Sequence, residues 1–159
     1  MPFLAGSRSS HRLCSIPAGW YSTKDSSSLA AFLAESDVVL LALPSTPATR
    51  HILNARTLAH LRPTAVVVNV GRGDTIDTDA LVTALDTGKL SGAALDVVEP
   101  EPLPAGHTLY GRKNVVLTPH MSGRTERYMD LALDIFIENL ERLKNGRELL
   151  NVVDPRRGY

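Results

Sequence analysis

Two short apolar runs constrain this chain more than any other feature. The first is Val38-Val39-Leu40-Leu41-Ala42-Leu43, stopped by Pro44, and the second covers residues 65–70, with Val66, Val67 and Val68 at its centre, stopped by Gly71-Arg72-Gly73. Such runs are expected of parallel strands buried on both faces. Between them Asn54 can cap a helix that must stop near Leu61, because Pro63 cannot continue it.

The alternation continues on both sides. Ser27 or Ser28 is the expected cap of a helix running to Ala34, with Leu29, Phe32 and Leu33 apolar. After the second run, Thr78 is the expected cap of a helix through Leu81, Val82 and Leu85, and Gly88 stands where a left-handed C-cap belongs. Two further strands are expected over 93–97 and 115–117, separated by a loop containing Pro100, Pro102 and Pro104. The longest helix is expected from about Thr125 to Asn145. Met129, Ala132, Leu133, Phe136, Leu140 and Leu143 keep one apolar face, and Gly146 ends it. Strands and helices in this order predict an α/β fold of βαβ units, a parallel sheet with helices on its faces.

Composition narrows the functional classes. A chain of 159 residues with 43% hydrophobic content has room for one core. The 17 basic and 17 acidic residues cancel, and the arginines form no stripe, so neither nucleic acid nor an anionic membrane is an expected partner. The run 38–43 is far too short to span a bilayer. Cys14 is the single cysteine, which excludes an internal disulfide and a cysteine-rich zinc site and suits a reducing compartment. Residues 1–25 show little periodicity, with a short strand expected through Phe3-Leu4-Ala5, and Met1 to Cys14 contain no long apolar stretch, so no secretory leader is expected. A cytoplasmic protein without a metal site is expected.

In parallel α/β sheets the ligand crevice lies beyond the carboxyl ends of the strands. Pro44-Ser45-Thr46-Pro47 follows the first apolar run, Arg72 the second, Asp96, Glu99 and Glu101 the third strand, and Thr118-Pro119-His120 the fourth. Separate turns thus bring an arginine, a glutamate and a histidine to one edge. Singly, each has a plainer explanation: a solvated loop cation, a residue keeping a loop wet, a satisfied core histidine. Arg72-Gly73-Asp74 also matches a cell-adhesion tripeptide, but three-residue matches are frequent by chance.

Together the three suit reduction of a 2-oxo acid. A forked guanidinium holds a carboxylate with paired hydrogen bonds. Histidine is the usual acid near neutral pH, and an adjacent carboxylate orients it. Arg72, His120 and Glu101 fill those roles, whereas His11, His51, His60 and His107 lie in contexts without such partners and are expected at the surface.

Four ordered segments carry a family resemblance: 36–49, ending Leu43-Pro44-Ser45-Thr46-Pro47-Ala48-Thr49; Asn69-Val70-Gly71-Arg72-Gly73; 94–104, containing Asp96-Val97-Val98-Glu99-Pro100-Glu101-Pro102; and Leu117-Thr118-Pro119-His120. Over roughly residues 3–150 the chain resembles the D-isomer-specific 2-hydroxyacid dehydrogenases. Its tail, 153–159, is similar to the ending of the glyoxylate/hydroxypyruvate reductase A branch. The resemblance implies Arg72 on the substrate carboxylate, His120 as acid/base and Glu101 paired to it. It also implies cofactor contacts at Pro44, Thr49, Val70, Gly71, Arg72, Asp96, His120 and Gly123, with Asp96 meeting the nicotinamide carboxamide. Arg8, in Ser7-Arg8-Ser9, falls where an acidic residue would select NAD and an arginine accommodates a 2′-phosphate, so NADP is favoured over NAD. An ordinary exposed arginine is the plain alternative there.

The resemblance further implies a small 2-oxo or 2-hydroxy acid substrate and a homodimer for the intact enzyme. It divides the chain into a cofactor-binding part, 1–123, and a C-terminal helix and tail, 124–159, directed toward a substrate domain. Two substitutions are mild departures: Gly71 where many relatives carry alanine, and Val98 where an aromatic is common. A larger one is the absence of the family's Gly-x-Gly-x-x-Gly turn and the strand before it. The expected fold is therefore a partial Rossmann-type sheet without its first strand and glycine loop, and this chain alone is expected to bind cofactor poorly and turn over little. A non-catalytic binding module, as in corepressor relatives, is the alternative, although such a module has no chemical need for the trio.

Overall fold

The computed structural model describes residues 17–156; the short strand expected at Phe3-Leu4-Ala5, Arg8, His11 and Cys14 lie outside the described residues. The chain order is α1 (Ser26–Glu35), β1 (Val38–Leu41), α2 (Ala55–Leu58), β2 (Val66–Asn69), a 3-10 turn (Gly73–Thr75), α3 (Thr78–Asp86), β3 (Gly92–Leu95), β4 (Val115–Leu117) and α4 (Tyr128–Lys144). The four strands form one parallel sheet in the order β1-β2-β3-β4. All their carboxyl ends therefore open on the same edge.

Register divides the side chains between two faces. Val39, Val67, Ala93 and Val115 form one cross-strand row, and Leu41, Asn69, Leu95 and Leu117 the next. These rows pack against Leu33 of α1, Leu58 of α2 and Leu81, Ala84 and Leu85 of α3 in a single apolar cluster. The opposite row, Leu40-Val68-Ala94-Val116, is not covered in the same way. Val38 and Leu40 are 60% and 61% exposed, and Val116 is 61% exposed. The expectation of strands buried on both faces is thus corrected for β1: among the described residues the helical layer covers one face only. The runs are apolar apart from Asn69, but burial on the second face needs a partner layer that local pattern cannot supply.

Helix starts also differ from expectation. Asp25, not Ser27 or Ser28, caps α1, its carboxylate accepting from the Ser27 amide at 2.9 Å. Asp77, not Thr78, caps α3, accepting from the Ala80 amide at 3.1 Å. In both cases an aspartate stands just before the expected cap and reaches the orphan amides first. Asn54 caps α2 as expected, in a reciprocal box with Thr57, but that helix ends at Leu58. Gly88 adopts φ of 66°, the left-handed conformation expected beyond α3, and Gly146, expected to end α4, adopts φ of 63°.

α4 begins at Tyr128, three residues after the expected start. None of its residues is buried. Met129, Phe136 and Leu143 are among its exposed apolar side chains.

Candidate active site

Three loops leave the carboxyl edge of the sheet and interlock through their backbones. Asn69, the last residue of β2, is fully buried and organises the next turn. Its Oδ1 accepts from the Gly71 amide at 3.1 Å, and its Nδ2 donates to the Arg72 carbonyl at 2.9 Å. Thr75 Oγ1 donates to the same carbonyl at 2.7 Å. The Arg72 backbone is thereby held from behind while its side chain projects outward.

The glycines flanking Arg72 are required by close approach. A Cβ on Gly71 would stand 2.6 Å from the Leu43 carbonyl oxygen and 2.7 Å from the Leu43 amide nitrogen. The expectation that glycine for alanine is a mild change here is therefore corrected, because backbone atoms of the β1 loop fill the space an alanine needs. A Cβ on Gly73 would lie 2.0 Å from the Val98 carbonyl oxygen. The turn after β2 is thus wedged between the loops after β1 and β3.

Asp96, just beyond β3, is buried and holds the loop after β4. Its Oδ1 accepts from Thr118 Oγ1 at 2.5 Å and from the Met121 amide at 2.9 Å; Oδ2 accepts from the Ser122 amide at 2.8 Å. The Thr118 hydroxyl first, then these amides, hold the Asp96 carboxyl well below the usual carboxylate range, against the opposing effect of burial. Three bonds from one side chain therefore fix the segment that displays His120.

His120 adopts φ of 50°, with its amide donating to the Asp96 carbonyl at 2.9 Å and to the Thr118 carbonyl at 3.1 Å. Left-handed backbone is uncommon for a non-glycine residue and costs free energy that the surroundings must offset. Its Nδ1 lies 2.8 Å from Glu101 Oε1. That bond fixes the ring and leaves Nε2 as the nitrogen available to a ligand.

A cavity of about 630 Å³ is lined by Val70, Arg72, His120, Ser122, Gly123, Arg124 and Tyr128. Of the residues expected from sequence, Val70, Arg72, His120 and Gly123 line it together, and Glu101 reaches it through His120. Gly71 is buried, and Asp96, expected to meet the nicotinamide carboxamide, does not line the cavity: it is buried, with both carboxylate oxygens engaged by Thr118, Met121 and Ser122. Pro44 and Thr49 sit at the neighbouring β1 end and do not line this cavity. There the Thr49 hydroxyl donates to the Pro44 carbonyl at 2.6 Å and closes the turn.

Arg124 and Tyr128 line the cavity without having been singled out. Their signal was position: they follow the histidine motif directly, before and at the start of α4. His51 is a further correction, since it is paired rather than free, with Nε2 at 2.7 Å from Glu99 Oε2. The residues suit a nicotinamide group. Val70 offers an exposed apolar wall beside the imidazole, and a Cβ at Gly123 would meet nothing within 4 Å, so the approach is open.

A parallel α/β sheet whose carboxyl edge gathers an arginine and an oriented imidazole defines a dinucleotide-binding domain of the oxidoreductase class. The chain belongs to the D-isomer-specific 2-hydroxyacid dehydrogenases: residues 18–122 match that family's NAD-binding domain. It is 40% identical over 129 residues to glyoxylate/hydroxypyruvate reductase B of Erwinia tasmaniensis, a match covering 80% of this chain and 40% of that protein. It is 37% identical over 131 residues to glyoxylate/hydroxypyruvate reductase A of Photorhabdus laumondii, covering 82% of this chain and 41% of the relative. A D-isomer-specific 2-hydroxyacid dehydrogenase from Xanthobacter autotrophicus Py2, crystallised with NADPH and MES, superposes with a TM-score of 0.78 at 44% identity. That alignment covers 84% of this chain and 54% of the crystallised one. The chain thus spans less than half the length of these two curated reductases. No helix among the described residues is long and apolar enough to cross a membrane.

Proposed function

We propose that this chain carries the cofactor-binding and acid/base part of an NAD(P)-dependent 2-hydroxyacid dehydrogenase of the glyoxylate/hydroxypyruvate reductase type. The observation that carries this reading is the His120–Glu101 pair, at 2.8 Å, beside Arg72 in one cavity. Arg72 binds the substrate carboxylate through its guanidinium fork, which has no carboxylate partner among the described residues and donates only to the Gly71 carbonyl, at 2.8 Å. The nicotinamide, when bound, supplies the hydride. His120 gives its Nε2 proton to the carbonyl oxygen of the 2-oxo acid and recovers it in the reverse direction, while Glu101 holds the ring and stabilises the imidazolium.

Val70, Gly123 and the backbone beside Arg72 form the nicotinamide end of the cofactor site. Pro44 and Thr49 extend it along the β1 edge, and Asp96 supports it by holding the β4 loop. NADP is favoured over NAD, in keeping with Arg8 and with the NADPH bound to the Xanthobacter relative. Residues 1–123 form the cofactor part, and 124–159 extend toward a substrate domain that the exposed apolar face of α4 suits. The intact enzyme is a homodimer acting in the cytoplasm on a small 2-oxo acid. A non-catalytic binding module has less support, since it has no use for an oriented imidazole.

The test is calorimetric titration of the chain with NADPH, then with oxamate, a non-reducible 2-oxo acid analogue. Oxamate binding that requires NADPH and is lost in Arg72→Gln is the expected result. Oxamate binding unaffected by Arg72→Gln would overturn the assignment of Arg72.

A further inference from the structure

Two residues before Glu101, on the same loop, Glu99 makes a second histidine–glutamate pair. Its Oε2 lies 2.7 Å from His51 Nε2, and its Oε1 accepts from Arg50 Nη2 at 2.7 Å. Arg50 Nη1 stands 3.8 Å from Asp74 Oδ2, which in turn accepts from Ser45 Oγ at 2.5 Å. The Glu99 carbonyl accepts from Thr78 Oγ1 at 2.6 Å, at the start of α3. One residue therefore ties the β3 loop to the turn before α2 and to the first turn of α3. None of these groups lines the cavity.

The two pairs share an unusual feature. His51 adopts φ of 47°, the same left-handed region as His120 at 50°. The surroundings hold it there: its amide donates to the Asp74 carbonyl at 2.7 Å, and Asn54 Nδ2 donates to its carbonyl at 2.8 Å. A conformation disfavoured for non-glycine residues persists only where neighbouring bonds over-determine it. Here it aims the imidazole of a turn residue at a carboxylate 48 positions away.

Glu101 has no comparable anchor. Its side chain is 39% exposed and bonds to His120 alone among the described residues. Its place is therefore set by its backbone, and that backbone is set by what grips the loop on either side. Asp96 grips the amino-terminal end, and buried Leu103 the carboxyl-terminal end. Between them Glu99 supplies the side-chain tie nearest to Glu101. An isolated exposed ion pair contributes little, but a carboxylate shared by an arginine and a histidine, with its carbonyl also bonded, restrains a loop in several directions.

We infer that Glu99 is a positioning residue: through Arg50 and His51 it fixes the β3 loop so that the Glu101 carboxylate meets Nδ1 of His120. The inference rests on His120 and Glu101 being the acid/base couple, and in it the neighbouring His51–Glu99 pair keeps that couple in register.

The experiment is ¹⁵N NMR of the histidine rings in the 159-residue chain, comparing wild type with Glu101→Gln and Glu99→Gln. Glu101→Gln displaces the His120 Nδ1 resonance and sets the scale. Glu99→Gln, which keeps the side chain's shape, is expected to displace that resonance in the same direction by at least half as much, with the chain still folded by amide dispersion. Loss of fold stability alone does not move this signal in molecules that remain folded. A His120 resonance unchanged in Glu99→Gln but moved in Glu101→Gln overturns the inference and leaves the couple intact. If Glu101→Gln moves nothing, the couple itself fails, and the inference with it. Should Glu99→Gln not fold, His51→Gln, which retains the Arg50 pair, is judged by the same half-displacement criterion.

Discussion

Replacing Gly73 by alanine is the sharpest probe of how the loops are assembled. The added Cβ would lie 2.0 Å from the Val98 carbonyl oxygen and 2.2 Å from its carbonyl carbon. Carbon–oxygen contacts need about 3.3 Å, so the β2 turn and β3 loop must separate by about 1.3 Å. Both partners are backbone, and no flexible side chain can yield instead. Glu101 lies three residues beyond Val98, and its bond to His120 starts at 2.8 Å. A comparable shift at Glu101 would stretch that bond to about 4 Å, past the useful range. Overpacking of this kind costs about 1–3 kcal/mol, and at this chain length each kcal/mol lowers the melting midpoint by about 2–4 °C. Thermal melts followed by circular dichroism, with the His120 ring observed by ¹⁵N NMR, read both effects. Gly88→Ala is the control: nothing lies within 4 Å of its Cβ, and its φ of 66° brings backbone strain only, so it lowers the midpoint without moving the His120 signal. A Gly73→Ala chain with wild-type midpoint and wild-type His120 signal would refute this account of the packing.

Acid should loosen the β4 loop through Asp96. Folding lowers its carboxyl pKa, chiefly through the Thr118 hydroxyl. Its stabilisation is therefore complete above the ordinary carboxylate range and fades as pH falls below about 4 toward the folded value. Asp96→Asn flattens that part of the profile, measurable as melting midpoints between about pH 2 and pH 5; a variant with an unchanged acid slope would contradict it. Asn69→Ala strands the buried Gly71 amide and frees the Arg72 carbonyl from one partner, costing about 1–3 kcal/mol for the unsatisfied group. Urea unfolding at constant m-value checks this. On α4, Phe136→Gln changes stability by less than about 0.5 kcal/mol, because the side chain is exposed in this chain. A larger loss in dilute solution would show that the helix packs onto the domain.

Much of the site was legible because its residues sit at strand ends. Apolar runs stopped by Pro44 and by Gly71-Arg72-Gly73 located two such ends, and Asp96 and His120 marked the others. Side chains displayed just past parallel strands share one edge whatever the details of packing. Helix starts were legible only approximately, since adjacent polar residues such as Asp77 and Thr78 compete to cap the same amides. His51 was misjudged for a different reason. Its partner Glu99 is 48 residues away, and nothing in the local pattern of either residue records the other.

By itself, then, the sequence determined the alternation of strand and helix, the parallel sheet, and the arrival of Arg72, Glu101 and His120 at a common edge. Periodicity and chain stops encode those features locally. Only the tertiary structure decided which partners the other carboxylates take, with Asp96 holding the β4 loop and Glu99 on Arg50 and His51. It also showed that Gly71 and Gly73 are spaces bounded by neighbouring backbone, and that among the described residues α4 and one face of β1 are uncovered. Those outcomes depend on the register between strands and on distances between loops far apart in the chain, and such distances are set by how the layers pack.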